Sequence, residues 1–277
     1  MTTIVVPVFN APEETEICLK SLAHHIETDV RVIVINDASD DDRIESVLAG
    51  MPAHWTRIDN ERNRGFVASA NLGMTMAAPD DVLLLNADTE VTSGFLDSLC
   101  DALRSDAAIA SVSPLTNHGE IASIPEFCVA NPYPKDPERW ADACRSSFAD
   151  DDIPAFVEVP TTIGFCMLLR REALDQIGYF DEAAFGRGYG EENDWCQRAI
   201  EAGWRHVLCD RAFVAHLGGA SFGPLGLKPG GEAMTEILKR YPNYTNDVAA
   251  FIKQDPMAKR RQAIVEYYQH CQHNEHP

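Results

Sequence analysis

The chain has 277 residues, 45% hydrophobic and 24% charged, which is room for one large α/β domain or two small ones. Its formal net charge of −20 argues against a nucleic-acid polyanion as partner, so no nucleic acid is expected. The same charge means that an anionic substrate would need a metal or a local basic group to be held.

Thr3 to Val8 reads as a strand, β-branched until Pro7. Pro12 suits the first position of a helix, where its missing N–H costs little, and Cys18, Leu22 and Ile26 repeat at helical spacing. Val30 to Ile35 is a second strand and ends in Asn36-Asp37-Ala38-Ser39-Asp40. A helix over Arg43 to Ala49, a short strand over Trp55 to Ile58, a turn at Asn63-Arg64-Gly65-Phe66 and a helix over Val67 to Met76 follow. The apolar run Val82 to Leu85 then breaks into Asn86-Ala87-Asp88. So short and apolar a run reads as a strand buried on both faces of a parallel sheet. A helix over Ser93 to Arg104 and a strand over Ile109 to Ser113 complete a β-α-β-α pattern with polar residues at each strand end. This predicts an α/β fold, a mostly parallel sheet flanked by helices.

From Thr116 to Pro160 the sequence is rich in Pro, Asp, Ala and Asn and reads as a long irregular loop. An apolar strand over Thr161 to Arg170, with Gly164 inside it, comes next, then a short helix over Arg171 to Ile177. The glycine-rich stretch from Phe185 to Gly190 leads into Glu191-Glu192-Asn193-Asp194 and a helix to Ala202. Two strands are expected, Arg205 to Cys209 and Ala212 to His216. A tail of helices runs from about Gly231 to His270. No stretch is apolar for the ~20 residues of a membrane span, and the first residues carry no basic n-region or cleavage site. Eight scattered cysteines without CxxC are expected to be reduced core residues, as in a cytoplasmic protein.

In open α/β sheets, ligands sit beyond the carboxyl ends of the strands. Asn10, Asp37 and Asn86 with Asp88 fall there. A carboxylate beside an amide oxygen is a plausible hard-cation site for Mg²⁺ or Mn²⁺ with a bound phosphate. Each cluster also has a plain explanation. Asn10 and Asp37 can cap helices. Glu191, Glu192 and Asp194 suit the first turn of a helix, opposite its macrodipole. His216 can be a satisfied strand-end histidine.

Taken together and in order, these stretches resemble an inverting family 2 glycosyltransferase with the GT-A fold, over about residues 3 to 222. Val5-Val6-Pro7-Val8-Phe9-Asn10 is similar to the family's first strand, and Asn36 to Asp41 to its nucleotide-contacting turn. Asn63, Gly65 and Phe66, with Asn71 and Gly73, resemble the stretch beside the nucleoside. Asn86-Ala87-Asp88 sits at the DxD position. Gly188-Tyr189-Gly190-Glu191-Glu192-Asn193-Asp194-Trp195-Cys196 with Arg198 looks like the ED-x-D segment, and His216 to Ser221 like the histidine-containing strand end. The resemblance implies a nucleotide-sugar half (1–115), an acceptor-binding and catalytic half (116–225) and a helical tail (226–277). It implies a UDP- or dTDP-sugar donor and a glycan or glycolipid acceptor. Asp88 becomes a ligand of a divalent metal, with His216 a second. Glu192, beside Glu191, becomes the base that takes the acceptor proton, and Gly164 and Trp195 fall on the acceptor side. Asp37 is assigned to the N–H of a uracil or thymine ring, and Asp194 to a structural role, pairing with Arg198.

Two positions depart from the family pattern: Asn86 stands for the first Asp of DxD, and Glu192 for the usual Asp. A sugar nucleotidyltransferase is the alternative enzyme, but Pro7 to Pro12 lacks the glycine-rich basic loop it needs. A non-catalytic sugar-nucleotide or glycan binder is the other alternative. Lys259-Arg260-Arg261 is read as a solvated helix face, or as a weak peripheral contact with the inner face of an anionic membrane. The sequence carries no signal for an oligomeric state.

Overall fold

The structure is a computed structural model and describes residues 1–147, 156–186, 188–218 and 231–274. In chain order the elements are β1 (Thr2–Val8), α1 (Pro12–His25), β2 (Arg31–Asn36), α2 (Arg43–Ala49), β3 (Thr56–Asp59), α3 (Phe66–Met76), β4 (Asp81–Leu85), β5 (Thr89–Val91), α4 (Phe95–Arg104) and β6 (Ile109–Leu115). They continue with α5 (Pro137–Ser146), β7 (Phe156–Val159), β8 (Cys166–Leu169), α6 (Arg171–Ile177), α7 (Glu182–Phe185), α8 (Glu191–Glu201), β9 (Arg205–His216), α9 (Gly231–Arg240), α10 (Tyr244–Gln254) and α11 (Ala258–Asn274).

Among the described residues nine strands form the sheet, in the order β3-β2-β1-β4-β8-β6-β9-β5, with β7 also paired to β9. The first four run parallel, as expected of short apolar strands joined by crossover helices. β8 enters antiparallel to both β4 and β6. Alternate residues of each central strand serve opposite faces. Ile4, Val6, Val34, Leu83 and Leu85 meet Leu19, Leu22, Phe95 and Leu99 of α1 and α4 on one side. Val5, Ile33, Ile35, Val82 and Leu84 meet Val67, Met74 and Trp195 of α3 and α8 on the other. α3 lies so close to β1 that a Cβ on Gly73 would stand 2.2 Å from Val5 Cγ1, which is why a residue without a side chain is needed there.

The segment read as an irregular loop is more ordered than its composition suggests. It holds α5 and β7. α5 is capped by the Asp136 carboxylate, which accepts from the Arg139 N–H at 3.1 Å, and it opens on Pro137. Its buried face is Trp140, Ala141, Ala143 and Cys144. Three of those four are small, so the apolar period was too faint to stand out. The strand expected over Thr161 to Arg170 is confined to β8, and Gly164 precedes it. The two strands expected after Arg205 are one, because β9 runs on through an irregularity at 210–212 where its pairing with β6 jumps from Cys209 to Phe213. β5 was not anticipated at all. The eight cysteines are unpaired, six of them buried.

The basic triplet does not form a free face. Arg260 is buried and pairs with buried Asp210 of β9. Arg261 pairs with Asp255 and lies 4.6 Å from the centroid of the Phe127 ring. Only Lys259 is left exposed, so the expected membrane-facing cluster is reduced to one cation.

Candidate active site

The site lies beyond the carboxyl ends of β1, β2 and β4, with the end of β9 and the start of α8 opposite them. The first layer is a braced turn. Asn10, at φ 55°, accepts the N–H groups of Asp40 and Asp41 on its side-chain oxygen, at 2.9 and 3.1 Å, and donates to the Asp40 carboxylate at 2.6 Å. Asp37 is 3% exposed. It accepts from the Asn60 amide (2.7 Å), the Arg64 N–H (2.9 Å) and the Gly65 N–H (2.8 Å). Two of those bonds fall on Oδ1 and one on Oδ2, so a second acceptor position survives on Oδ2. Asp37 therefore holds the Asn63–Phe66 turn first. Asn63 adds its own bond to the Gly65 N–H at 3.1 Å, and Gly65 sits at φ 87°, open to glycine.

Other expected contact residues are occupied in the same way. Pro7 and Val8 are buried in β1, while Phe9 is partly exposed just beyond it. Phe66 packs partly buried against the α3 side of the core. Both ends of the Asn71 amide bond the Phe180 backbone, at 3.0 and 3.1 Å, which makes Asn71 a tie between α3 and the 178–181 turn. Trp195, placed on the acceptor side from sequence, is a correction. It is fully buried, and its indole N–H donates to the Gly178 carbonyl at 2.9 Å, so it cannot touch an acceptor.

The short strand β5 explains how Asp88 meets His216. Its pairing with β9 sets Thr89 opposite His216, and the Leu217 N–H donates to the Asp88 carbonyl at 3.0 Å. Asp88 Oδ1 then stands 3.4 Å from His216 Nε2. The other ring nitrogen lies 2.7 Å from the His118 carbonyl oxygen, which can only accept, so Nδ1 carries the hydrogen. Neutral His216 would turn a bare Nε2 lone pair toward a carboxylate. Only a proton or a cation between them makes that pairing favourable. Burial works against the charged imidazole, but the bond and charge of Asp88 outweigh it and raise its pKa. The ring is also stacked on Phe165, 5.0 Å between centroids, and Asn117 clamps the His216 backbone at both N–H and C=O. Close by, Asn86 Oδ1 is a buried acceptor with no hydrogen-bond partner. Asp88, His216 and Asn86 thus offer the N/O donor set a divalent metal takes. No cluster of three or more His, Cys, Asp or Glu suited to a metal occurs among the described residues, so the remaining ligands would come from substrate and water.

The second half of the site is the acidic start of α8. Gly188, Tyr189 and Gly190 follow one another at φ 126°, 67° and 94°. For Tyr189 that conformation costs of order 1–3 kcal/mol, the sort of strain that marks functional loops. Glu191 is 4% exposed, and burial followed by the charge of Glu192 raises its pKa well above the usual value. Glu192 is half-buried, and burial is the main cause that raises its pKa to about 6. Its Oε2 has no hydrogen-bond partner, and its side chain lies along Gly164, where an added Cβ would stand 3.5 to 3.7 Å away. Asp194 is structural, as expected, bonding the Arg198 guanidinium at 2.8 Å.

Tyr189 joins the two halves, a role it was not given from sequence. Burial raises its phenol pKa, and Asp88, Glu191 and Glu192 raise it further, so one side chain senses both centres. Its sequence signals were its place between two glycines and its place in the stretch that resembles the ED-x-D segment. His118 was missed outright. A Cβ on Gly218 would fall 2.2 Å from its Nδ1, so the glycine makes room for that ring. Arg187 and the expected Gly219-Ala220-Ser221 lie outside the described residues.

The chain is similar to several known proteins. An uncharacterized protein of Mycobacterium tuberculosis is 26% identical over 219 residues, which cover 78% of this chain and 73% of that one. The N-acetylglucosaminyl-diphospho-decaprenol L-rhamnosyltransferase of the same species is 25% identical over 237 residues, with 77% and 75% covered. Its pre-mycofactocin glycosyltransferase is 28% identical over 218 residues, 77% of this chain and 42% of that protein. Among solved structures, GalNAc-T7 with UDP, GalNAc and Mn²⁺ superposes with a TM-score of 0.65 at 14% identity, over 96% of this chain and 54% of that one. The mannosyltransferase PcManGT of Pyrobaculum calidifontis, in complex with GDP-Man and Mn²⁺, gives 0.53 at 15% identity, over 96% and 73%. The chain thus spans about half the length of the first of these structures. At such identities the superpositions show the GT-A-type fold alone. The family is fixed by sequence, since residues 3–178 match the description "Glycosyl transferase family 2". More than half of the chain, from β1 through α6, lies within that match, and the chain belongs to glycosyl transferase family 2.

Proposed function

We propose that this glycosyltransferase moves a sugar from a UDP- or dTDP-sugar to a hydroxyl of a glycan or glycolipid acceptor, with inversion, and that Glu192 is the base. The observation that carries the reading is the pair of centres that both act on Tyr189. Asp88 with His216 is one, and a carboxylate with an unpartnered oxygen is the other. Two centres suit a displacement in which the leaving group and the nucleophile depart from and arrive at opposite faces. Asp88 and His216 would hold Mg²⁺ or Mn²⁺, with the Asn86 oxygen as a further donor. A divalent cation bound there supplies Lewis-acid neutralisation of the diphosphate leaving group.

Glu192 accepts the proton of the acceptor hydroxyl as that oxygen attacks the anomeric carbon. A pKa of about 6 suits this role, because the carboxylate is mostly ionised at neutral pH yet more basic than an ordinary one. Burial and the nearby charge of Glu120 keep Glu192 basic, while Glu191, more deeply buried, is itself pushed toward its neutral form by burial and by Glu192. The Gly188–Gly190 loop closes over the donor and excludes water. Asp37, through its remaining acceptor position, takes the N–H of the pyrimidine. Residues 1–115 bind the donor, and the acceptor is met by residues 116–225.

The test is a donor panel of UDP-, dTDP- and GDP-sugars, read by thermal shift with and without Mn²⁺ and by release of the nucleoside diphosphate. A UDP- or dTDP-sugar should give the largest shift, and only with metal. NMR of the product should show the anomeric configuration inverted. Retained configuration, or a donor preference for GDP, would overturn the reading.

A further inference from the structure

The family match ends at residue 178, yet three side chains of the C-terminal tail bond the two residues that follow Glu192. Arg240 donates to Asp194 Oδ1 at 2.8 Å, and the Tyr241 hydroxyl donates to the same oxygen at 3.0 Å. The Tyr244 hydroxyl donates to Asn193 Oδ1. Asp194 is fully buried and Tyr244 is 6% exposed, so these bonds are shielded from competing water. Arg240 also reaches Asp181 at 2.9 Å, and its guanidinium lies 5.4 Å from the Phe185 ring centroid. That ring and Ala233 of α9 press on Gly190, where an added Cβ would stand 3.0 and 3.4 Å from them. The tail therefore grips both the loop before Glu191 and the first turn after it.

We propose that α9 and α10 form a positioning element for the base, and that Tyr244 acts through Asn193 to orient Glu192. The phenol O–H occupies the Asn193 carbonyl oxygen, so it is the amide NH₂ that is left to donate to the neighbouring Glu192 carboxylate, whose pKa the Asn193 side chain lowers. A base held by a third group is the general pattern of an activated site. An amide donor on one side favours the ionised form and leaves Oε2 for the acceptor hydroxyl. The other groups near Glu192 among the described residues are Glu191 on α8, Glu120 beyond β6 and the phenols of Tyr189 and of Tyr244 itself; none of them is a cation. The inference rests on Glu192 being the base.

Tyr244→Phe removes only the hydroxyl and keeps the ring. It should lower kcat roughly ten- to a hundredfold, the scale for a slightly misplaced reacting group, with donor KM unchanged. The acid limb of the kcat profile should move to higher pH, because the Asn193 amide is freed to turn away. Asn193→Ala should shift it the same way, and the double variant should add little. An unmoved limb with kcat reduced equally at every pH, or no change at all, would overturn the proposal. The ¹³Cδ titration of Glu192, assigned by its loss in Glu192→Gln, separates this from the reading beneath it. If Glu192→Gln stays active, Glu192 is not the base, and the titration still decides whether Tyr244 controls the carboxylate. A titration midpoint unchanged by Tyr244→Phe refutes the relay.

Discussion

Replacing Glu192 with Gln should produce an enzyme that is both inactive and more stable. The change keeps the shape and the contact with Gly164 while removing the charge. A lost general base lowers kcat by roughly 10² to 10⁴, and donor affinity should change little. The stability effect has the opposite sign. Burial raises the folded-state pKa to about 6 from the usual 4.5. A carboxyl raised in this way favours the folded state below about 4.5, and that contribution is lost as pH rises through about 6. At pH 7.5 the wild type therefore carries a buried charge costing about 2 kcal/mol, which the amide does not. For a chain of this length that corresponds to about 3 °C in Tm. Differential scanning fluorimetry at pH 7.5 and pH 4, beside single-turnover rates, gives both readings. The variant should melt higher at pH 7.5 and level with the wild type at pH 4. Equal Tm values at pH 7.5, or full activity, would show that Glu192 is neither strained nor basic.

Asp88→Ala should abolish the Mn²⁺ dependence of donor binding while the fold survives, and calorimetric titration with and without metal checks this. Asp37→Ala strands the Arg64 and Gly65 N–H groups and the Asn60 amide, so it should cost about 2 kcal/mol or more in urea unfolding and weaken pyrimidine nucleotides together. Stability unchanged in that variant would contradict the bracing role. Gly164→Ala places a methyl at ordinary contact distance from Glu192, so Tm should hold while kcat falls roughly tenfold. An unaffected kcat would mean that the base does not use that space.

Much of the donor half was legible because its strands are short, apolar and β-branched, and each ends in a polar turn. The positions of Asp37, Asp88, Glu192 and His216 followed from that pattern and from the family resemblance. What each residue does locally was not legible. Asn10, Asp37 and Asn71 spend most of their hydrogen-bonding capacity on backbone, and no sequence spacing reveals which partner a side chain will choose. Trp195 was misplaced because an indole at position five of an amphipathic helix reads alike whether it faces a ligand or a core. β5 escaped notice since three residues, Thr89 to Val91, give no period to detect. The reach of the tail into the ED-x-D segment was hidden because Arg240 and Asp194 are 46 positions apart.

The reversed strand β8 has a consequence for the order in which the chain can assemble. β1 to β4 are joined by local crossovers, whereas β8 pairs with β4 across 81 to 87 positions and fills the gap between β4 and β6. Contacts of such separation are entropically late to close. Until Cys166 to Leu169 are in place, Phe165 cannot stack on His216, and its carbonyl cannot accept the Asn86 N–H. The β1–β4 half and its braced Asp37 turn can thus take shape while Asp88 and His216 are still apart, so the two sides of the candidate site are completed at different times.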